Sequence, residues 1–346
     1  MKDLVYITTE KKSSSLVNVN NYVSTENILP NRGGIRFPAK SLPQISKIFS
    51  YQKNDILVSN IRPYFKKIWF SDRDGVRSND VLAFRTKNSK ILLQKYLYLV
   101  LQNDKFFDYV TLTSKGTKMP RGDKNAILNF TFEIPSISIQ KKLINYFFVI
   151  ESKIKLNNLI NDNLMELKTT IFNKMFSINL TNCLNGKIKD IAEVRTGKRP
   201  KIKYSKKGST PIYPIIGASK IMGYTDEYLY NKSIITTGRV GTLGIVKRYR
   251  EPVWVSDNSF IFITKYEDYL YELLTHFINY SALNIGSTQP LITQTEFKNV
   301  DIYIPKREEL IEFKEKVVTL TEQQFELRQQ NRLLNDLKSY LLSKLF

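Results

Sequence analysis

Apolar residues recur every seven positions along two stretches of the chain. In the first, residues 139–176, one row runs Leu143, Ile150, Leu164 and Ile171 with Asn157 interrupting it, and a flanking row adds Phe147, Ile154 and Met175. In the second, residues 308–346, the row is Phe313, Leu320, Leu327, Leu334 and Leu341, flanked by Val317 and Leu345. A seven-residue period draws a narrow apolar seam along one side of a helix, the pattern of a coiled coil rather than of two ordinary core helices. Neither stretch contains Pro or Gly. Each therefore reads as one unbroken helix of about 40 residues, about 60 Å long at roughly 1.5 Å per residue.

Shorter patterns precede each long helix. In the first region, β-like runs fall at residues 4–7, 55–59, 67–70, 81–84 and 130–134, separated by turn formers at 30–34 and 72–75. One helix is expected over 89–109, with Leu93, Leu97, Val100 and Leu101 on one face. A polar connector, 177–186, leads to a second region with strands at 233–237, 244–248 and 260–264 and a helix at 268–279. Gly238, Gly241 and Gly244 lie between two of these strands. The stretch lacks the Lys-Ser/Thr of a phosphate loop and opens no helix, so it reads as a tight β-connection.

The two halves are copies of one unit. The long helices align at an offset of 170, matching Leu143 with Phe313, Leu164 with Leu334 and Lys168 with Lys338. Upstream the offset is 187 for Lys2-Asp3-Leu4 against Lys189-Asp190-Ile191, and 178 for Ile56-Leu57-Val58 against Ile234-Ile235-Thr236 and for Ser78-Asn79-Asp80 against Ser256-Asp257-Asn258. It returns to 170 at Gly116, Pro120 and Pro135. The expected fold class is α+β: two pseudo-repeated mixed α/β domains, residues 1–137 and 181–305, each followed by a long helix, 138–180 and 306–346. The short connector returns the second helix along the first, so an antiparallel coiled coil is expected, with the domains at opposite ends of a bar and an approximate twofold axis across it.

Charge narrows the function. The chain of 346 residues carries 53 Lys and Arg against 32 Asp and Glu, a net charge of +21, which points to an anionic partner, nucleic acid first and an acidic membrane surface second. The candidate DNA-contacting residues lie on expected loops: Arg62, Lys66, Lys67, Arg77, Lys115, Lys118 and Arg121 in the first copy, and Lys198, Arg199, Lys201, Lys203, Lys206, Lys207 and Arg239 in the second. The plainer reading of these cations is solubility. Cys183 is the single cysteine, so no disulfide forms within the chain, as in a reducing compartment. Residues 1–10 lack the apolar core of a signal peptide, and no apolar stretch approaches the roughly 20 residues of a membrane span, so a cytoplasmic location is expected.

Catalytic constellations are missing from the sequence. His276 is the only histidine and reads as a packed or half-exposed helix residue; one Cys and one His do not make a zinc site. Neither an Asn-Pro-Pro-aromatic nor an Asp-Pro-Pro-Tyr tetrapeptide is present. Glu151-Ser152-Lys153 has nuclease-like spacing, but it lies on the long helix without an acidic partner and reads as a solvated face. The chain reads as a binder whose catalysis resides elsewhere.

The chain resembles the specificity subunits of Type I restriction-modification systems. The resemblance is carried by Lys189 to Ile191 with Val194-Arg195-Thr196-Gly197-Lys198, the Gly238, Gly241, Gly244 stretch, Ser256-Asp257-Asn258, Ile304-Pro305 and the two long helices. One departure is Glu10, which stands where the second copy has Gly197. The resemblance implies two target-recognition domains binding a split, asymmetric double-stranded DNA target, with the helix pair as spacer. It also implies two methylation subunits and restriction subunits as partners, with S-adenosylmethionine, ATP and Mg²⁺ on those partners and none on this chain. The alternative class is a coiled-coil adapter whose basic surfaces serve acidic partners.

Overall fold

The computed structural model describes residues 1–13, 17–43, 46–205 and 213–345. The chain divides into two compact units, Met1–Leu156 with Gln330–Phe346, and Asn157–Gln329.

The first unit holds eight described strands: β1 (Val5–Ile7), β2 (Lys11–Ser13), β3 (Tyr22–Val23), β4 (Lys47–Tyr51), β5 (Ile56–Ser59), β6 (Ile68–Phe70), β7 (Gly75–Arg77) and β8 (Val81–Thr86). They form two sheets, ordered β1-β8-β5-β6 and β2-β4-β7-β3. All pairings are antiparallel except β3 with β7. β5 is buried at every position, as a strand covered on both faces must be. Its alternate residues serve different cores: Ile56 and Val58 join Leu82, Phe84 and Phe106, while Leu57 joins Trp69, Val81 and Ala83.

Three sequence expectations change here. The helix expected over 89–109 is two helices, α1 (Gln94–Gln102) and α2 (Asp104–Leu112). The break is Asn103, whose extended backbone frees its side chain to accept from Lys105 N and to donate to the Leu342 carbonyl at 2.7 Å. After α3 (Lys124–Leu128) the run 130–134 is irregular rather than a strand. Its backbone edge is taken at the Phe130 carbonyl by the Met1 amine, while Phe130 packs on Phe106 and Tyr109. Gly75, expected in a turn, lies in β7, where a Cβ would meet the Asn21 carbonyl and the Tyr51 hydroxyl at 2.4 Å. The sheet containing β2, β3, β4 and β7 carried no strong periodic signal.

The long helix α4 (Ile137–Asn182) begins in the first unit and ends in the second. Residues 177–182, expected in the connector, are helical. Leu180 packs on the second unit's core there, and the Asn179 side chain bonds Tyr303. The second unit continues with β9 (Gly186–Lys187), α5 (Ile188–Ile191), β10 (Glu193–Thr196), β11 (Tyr213–Ile216), β12 (Ile221–Thr225), β13 (Ile234–Gly238), β14 (Lys247–Tyr249), β15 (Trp254–Val255), β16 (Ser259–Ile263), α6 (Glu267–His276), α7 (Gln294–Lys298) and β17 (Asp301–Ile302), then α8 (Arg307–Leu345). Its sheets are β10-β16-β13-β14, β12-β11-β15 and the pair β17-β9. The strand expected at 244–248 starts at Lys247, because Gly244, at φ +77°, still belongs to the turn. The helix expected over 268–279 ends at His276.

The main sheets of the two units correspond strand for strand, β1-β8-β5-β6 with β10-β16-β13-β14. One offset is corrected. Phe84 pairs with Ile56 and Phe262 with Ile235, so β5 matches β13 at 179, while β8 matches β16 at 178. A one-residue slip would turn the strand inside out; Ile56 and Ile235 both face the helix-side cores.

Within each unit α4 and α8 run antiparallel. In the first unit Phe147 and Leu342 share a core, and Lys338 Nζ reaches Glu151 at 2.6 Å. In the second, Phe172 and Phe176 pack on Phe313, and Gln324 Nε2 donates to the Asn161 carbonyl at 3.3 Å. Burying each such ring contributes about 1.5–3 kcal/mol. Each helix pair also closes the core beneath a main sheet, a second use that the narrow seam did not announce. The seam is not purely apolar: Asn157, Lys168 and Gln324 are buried along the paired helices, with Gln324 bonded to Lys168 and to the Asn161 carbonyl. Glu151 therefore faces α8 and is not on a solvated face; only Ser152 and Lys153 beside it are exposed. Among the described residues, no helix is long and apolar enough to cross a membrane.

Candidate nucleic-acid interface

Three loops of the first unit converge. The β5–β6 connection, residues 60–67, contains the 3₁₀ turn Pro63–Phe65. Arg62 N donates to the Pro120 carbonyl at 2.8 Å, and Ile61 and Lys115 each bridge to Arg121. Asn31 N and Arg32 N donate to the carbonyls of Phe65 and Lys66 at 2.8 and 2.9 Å. Backbone bonds thus assemble Arg62, Lys66, Lys115, Lys118 and Arg121 from segments far apart in sequence. Lys115, Lys118 and Arg121 are exposed, and Arg62 and Lys66 partly so.

Carboxylates hold the cations in place. Arg121 pairs with Asp80 at 3.3 Å and Lys115 with Asp123 at 2.7 Å. Lys66 and Arg32 both bond Asp104. Burial alone would raise the Asp104 carboxyl, but its bonds from Lys66 and Arg32 hold it below the ordinary value. Arg62 Nε is enclosed with no acceptor among the described residues.

Two expected contacts lie elsewhere. Arg77 is 2% exposed, and its guanidinium donates to the carbonyls of Val81 and Thr8. Burial pushes it down to about 10. It sits in β7 opposite Val23, as Val255 sits in β15 opposite Ile216, so it fills a core position rather than a DNA-facing one. Lys67 turns inward, donating to the Thr25 carbonyl, with its amine lowered by burial.

The second unit builds the same frame with other side chains. Gly241 N donates to the Pro290 carbonyl at 2.8 Å, and Val240 bridges to Leu291. Gly241 and Gly244 have φ +82° and +77°, confirming the tight β-connection. At the positions of Lys115, Lys118 and Arg121 stand Ile285, Thr288 and Leu291. Charge gathers instead around β15–β16: Arg199 Nε bonds Asp257 at 2.7 Å, Arg239 Nη1 donates to the Asp257 carbonyl at 3.4 Å, and Lys198 N donates to the Val255 carbonyl. Gly197 is required because a Cβ would lie 2.1 Å from the Ser256 carbonyl; Glu10, its counterpart, accepts from Ser50 N. Lys201 and Lys203 are exposed, while Lys206 and Lys207 lie outside the described residues.

Sequence reasoning missed Tyr64 and Phe65, exposed at the tip of the 60–67 turn, with ring centroids 4.7 Å apart. Their signal was an aromatic pair bracketed by Arg62 and Lys66 in a turn with no period. His276 ends α6 partly exposed, with Nε2 3.0 Å from Thr169 Oγ1.

A model of the Type I restriction modification DNA specificity domain matches residues 2–166 and again 184–338. The HindI specificity subunit of Haemophilus influenzae is 28% identical over 144 residues, covering 40% of this chain and 30% of that protein's length. A Type I restriction-modification S subunit from M. genitalium has the same fold, with a TM-score of 0.58 at 15% identity, covering 100% of this chain and 94% of that one.

Proposed function

The chain belongs to the Type I restriction modification DNA specificity family, and we propose that it is the non-catalytic DNA-reading subunit of a Type I restriction-modification complex. Each unit reads one half of a split, asymmetric target in double-stranded DNA, with the paired helices as spacer. The observation that carries this reading is one backbone frame presenting two different surfaces. The bond from Arg62 N to the Pro120 carbonyl recurs as Gly241 N to Pro290, yet Lys115, Lys118 and Arg121 are replaced by Ile285, Thr288 and Leu291. A shared frame places each unit on the duplex through phosphates, and different side chains give different sequence preferences.

Two methylation subunits dock on the long helices, and restriction subunits join them. Tyr146, Val149 and Leu156 are 60%, 59% and 50% exposed on α4 in the first unit, apolar surface suited to protein contact. S-adenosylmethionine, ATP and Mg²⁺ belong to those partners.

The test is methyl transfer to host DNA by the purified chain, alone and mixed with its methylation subunits. Adenine methylation is expected only from the mixture; measurable transfer by the chain alone contradicts the reading.

A further inference from the structure

Five non-glycine residues in the described chain have positive φ, and four of them lie on two adjoining turns: Asn31, Arg32, Arg62 and Lys66. Arg62, at φ 49°, and Lys66, at φ 51°, bracket the turn that carries Tyr64 and Phe65. Left-handed backbone is unfavourable for side chains with a Cβ and gathers at functional sites. The second copy shows the relaxed solution, because Gly241 makes the bond to Pro290 that Arg62 makes to Pro120, and Gly244 closes the turn at φ +77°. The first copy therefore keeps two cations where the fold would accept glycine.

The turn does something else that its counterpart does not. Tyr64 and Phe65 are 47% and 40% exposed, while buried Pro63 fixes the base of the turn beneath them. In the second copy the tip is Thr242, which is exposed, and Leu243, which packs on the core. Around the aromatic tip the converging loops place Arg32, Arg62, Lys66, Lys115, Lys118 and Arg121 against Asp80, Asp104 and Asp123. Rings flanked by excess positive charge suit stacked bases flanked by phosphates. Met119, exposed on the 115–122 loop, is one apolar neighbour, but cations outnumber it around the tip, the reverse of what a protein-docking patch would gain from.

We propose that Tyr64 and Phe65 form a stacking wedge that opens or kinks a base step in the half-site read by the first unit, while Arg62 and Lys66 engage the flanking phosphates. This deepens the DNA-reading function proposed above and rests on it. The corresponding turn of the second unit carries Thr242 and Leu243 in place of the rings, so distortion by this turn is expected in one half of the target only.

The experiment uses the complex of this chain with its methylation subunits, and a duplex carrying the sequence that the complex methylates in its host genome. Permanganate reactivity of thymines is expected to rise in one half-site only. The double variant Tyr64→Ala/Phe65→Ala should abolish that rise and weaken binding about tenfold or more, with an unchanged salt slope because every cation that meets a phosphate is still present. Tyr64→Leu/Phe65→Leu, which keeps apolar bulk, should lose the affinity that ring stacking supplies while retaining part of the reactivity, since aliphatic side chains also unstack base steps. Arg62→Gly should raise resistance to urea while lowering DNA affinity, a trade expected of functional strain and not of a purely structural residue. Parental affinity and footprint in both double variants would overturn the wedge while leaving DNA reading intact. So would variants that bind DNA normally but fail to assemble with the methylation subunits. A parent complex with no preference for its own methylated sequence over a scrambled duplex would overturn both readings.

Discussion

Lys168 and Lys338 stand 170 residues apart at the same position of the two long helices, and they are held by acids from different elements. Lys168 Nζ lies 3.7 Å from Glu272 and 3.9 Å from Asp268, both on α6. Lys338 Nζ lies 2.6 Å from Glu151 on α4. The first unit has Leu99 in α1 where the second has Glu272, so the acid that meets the lysine has moved from domain helix to long helix. Lys168 and Glu272 are 2% and 0% exposed in their side chains, while Glu151 is 26% exposed. Removing one partner of a buried pair costs about 3–5 kcal/mol. Lys168→Met should cost about that much, and Lys338→Met about 1 kcal/mol. Urea unfolding with hydrogen exchange resolved to each unit measures both; equal losses would show that the burial difference is irrelevant.

The same lysine predicts a pH dependence. Burial, with Arg248 nearby, lowers Lys168 from 10.5 to about 8 against the opposing pull of Glu272 and Asp268. Between those values the unfolded chain binds a proton that the folded chain does not. Stability from this site therefore rises as pH increases from about 8 toward 10.5. The difference in unfolding free energy between the parent and Lys168→Met should change with pH above 8 and should be flat well below it. A parent and variant with parallel profiles above pH 8 would refute the assignment.

The long helices were legible because a seven-residue period with no Pro or Gly leaves few alternatives, and their ends were misjudged mainly at 177–182, where Leu180 finds a tertiary partner that no local pattern reveals. β5, β8, β13 and β16 announced themselves as apolar runs. β2 and β3 did not, since Lys11 to Ser13 is exposed throughout and Tyr22–Val23 is two residues long. Of the candidate contacts, Arg77 was misread because charge was taken as a mark of surface; only the fold shows it lining up with Val255. The convergence of 30–34, 60–67 and 115–122 rests on long-range backbone bonds, which composition does not encode.

The exposed cations and the buried arginine can be separated by salt. Changing Lys198, Arg199, Lys201 and Lys203 to Ala should flatten the plot of log affinity against log salt by about 0.9 for each phosphate left without its cation. Arg77→Met should leave that slope unchanged but cost about 2 kcal/mol of stability, since the carbonyls of Thr8 and Val81 lose their donor. A reduced slope in Arg77→Met would return that residue to the DNA surface.

The two units are expected to read DNA independently of each other. The most direct measurement replaces residues 1–137 with the matching region of another family member and maps the adenines methylated genome-wide by the resulting complex. One half of the target is expected to change and the other half to be retained. A target in which both halves change together would contradict independent reading.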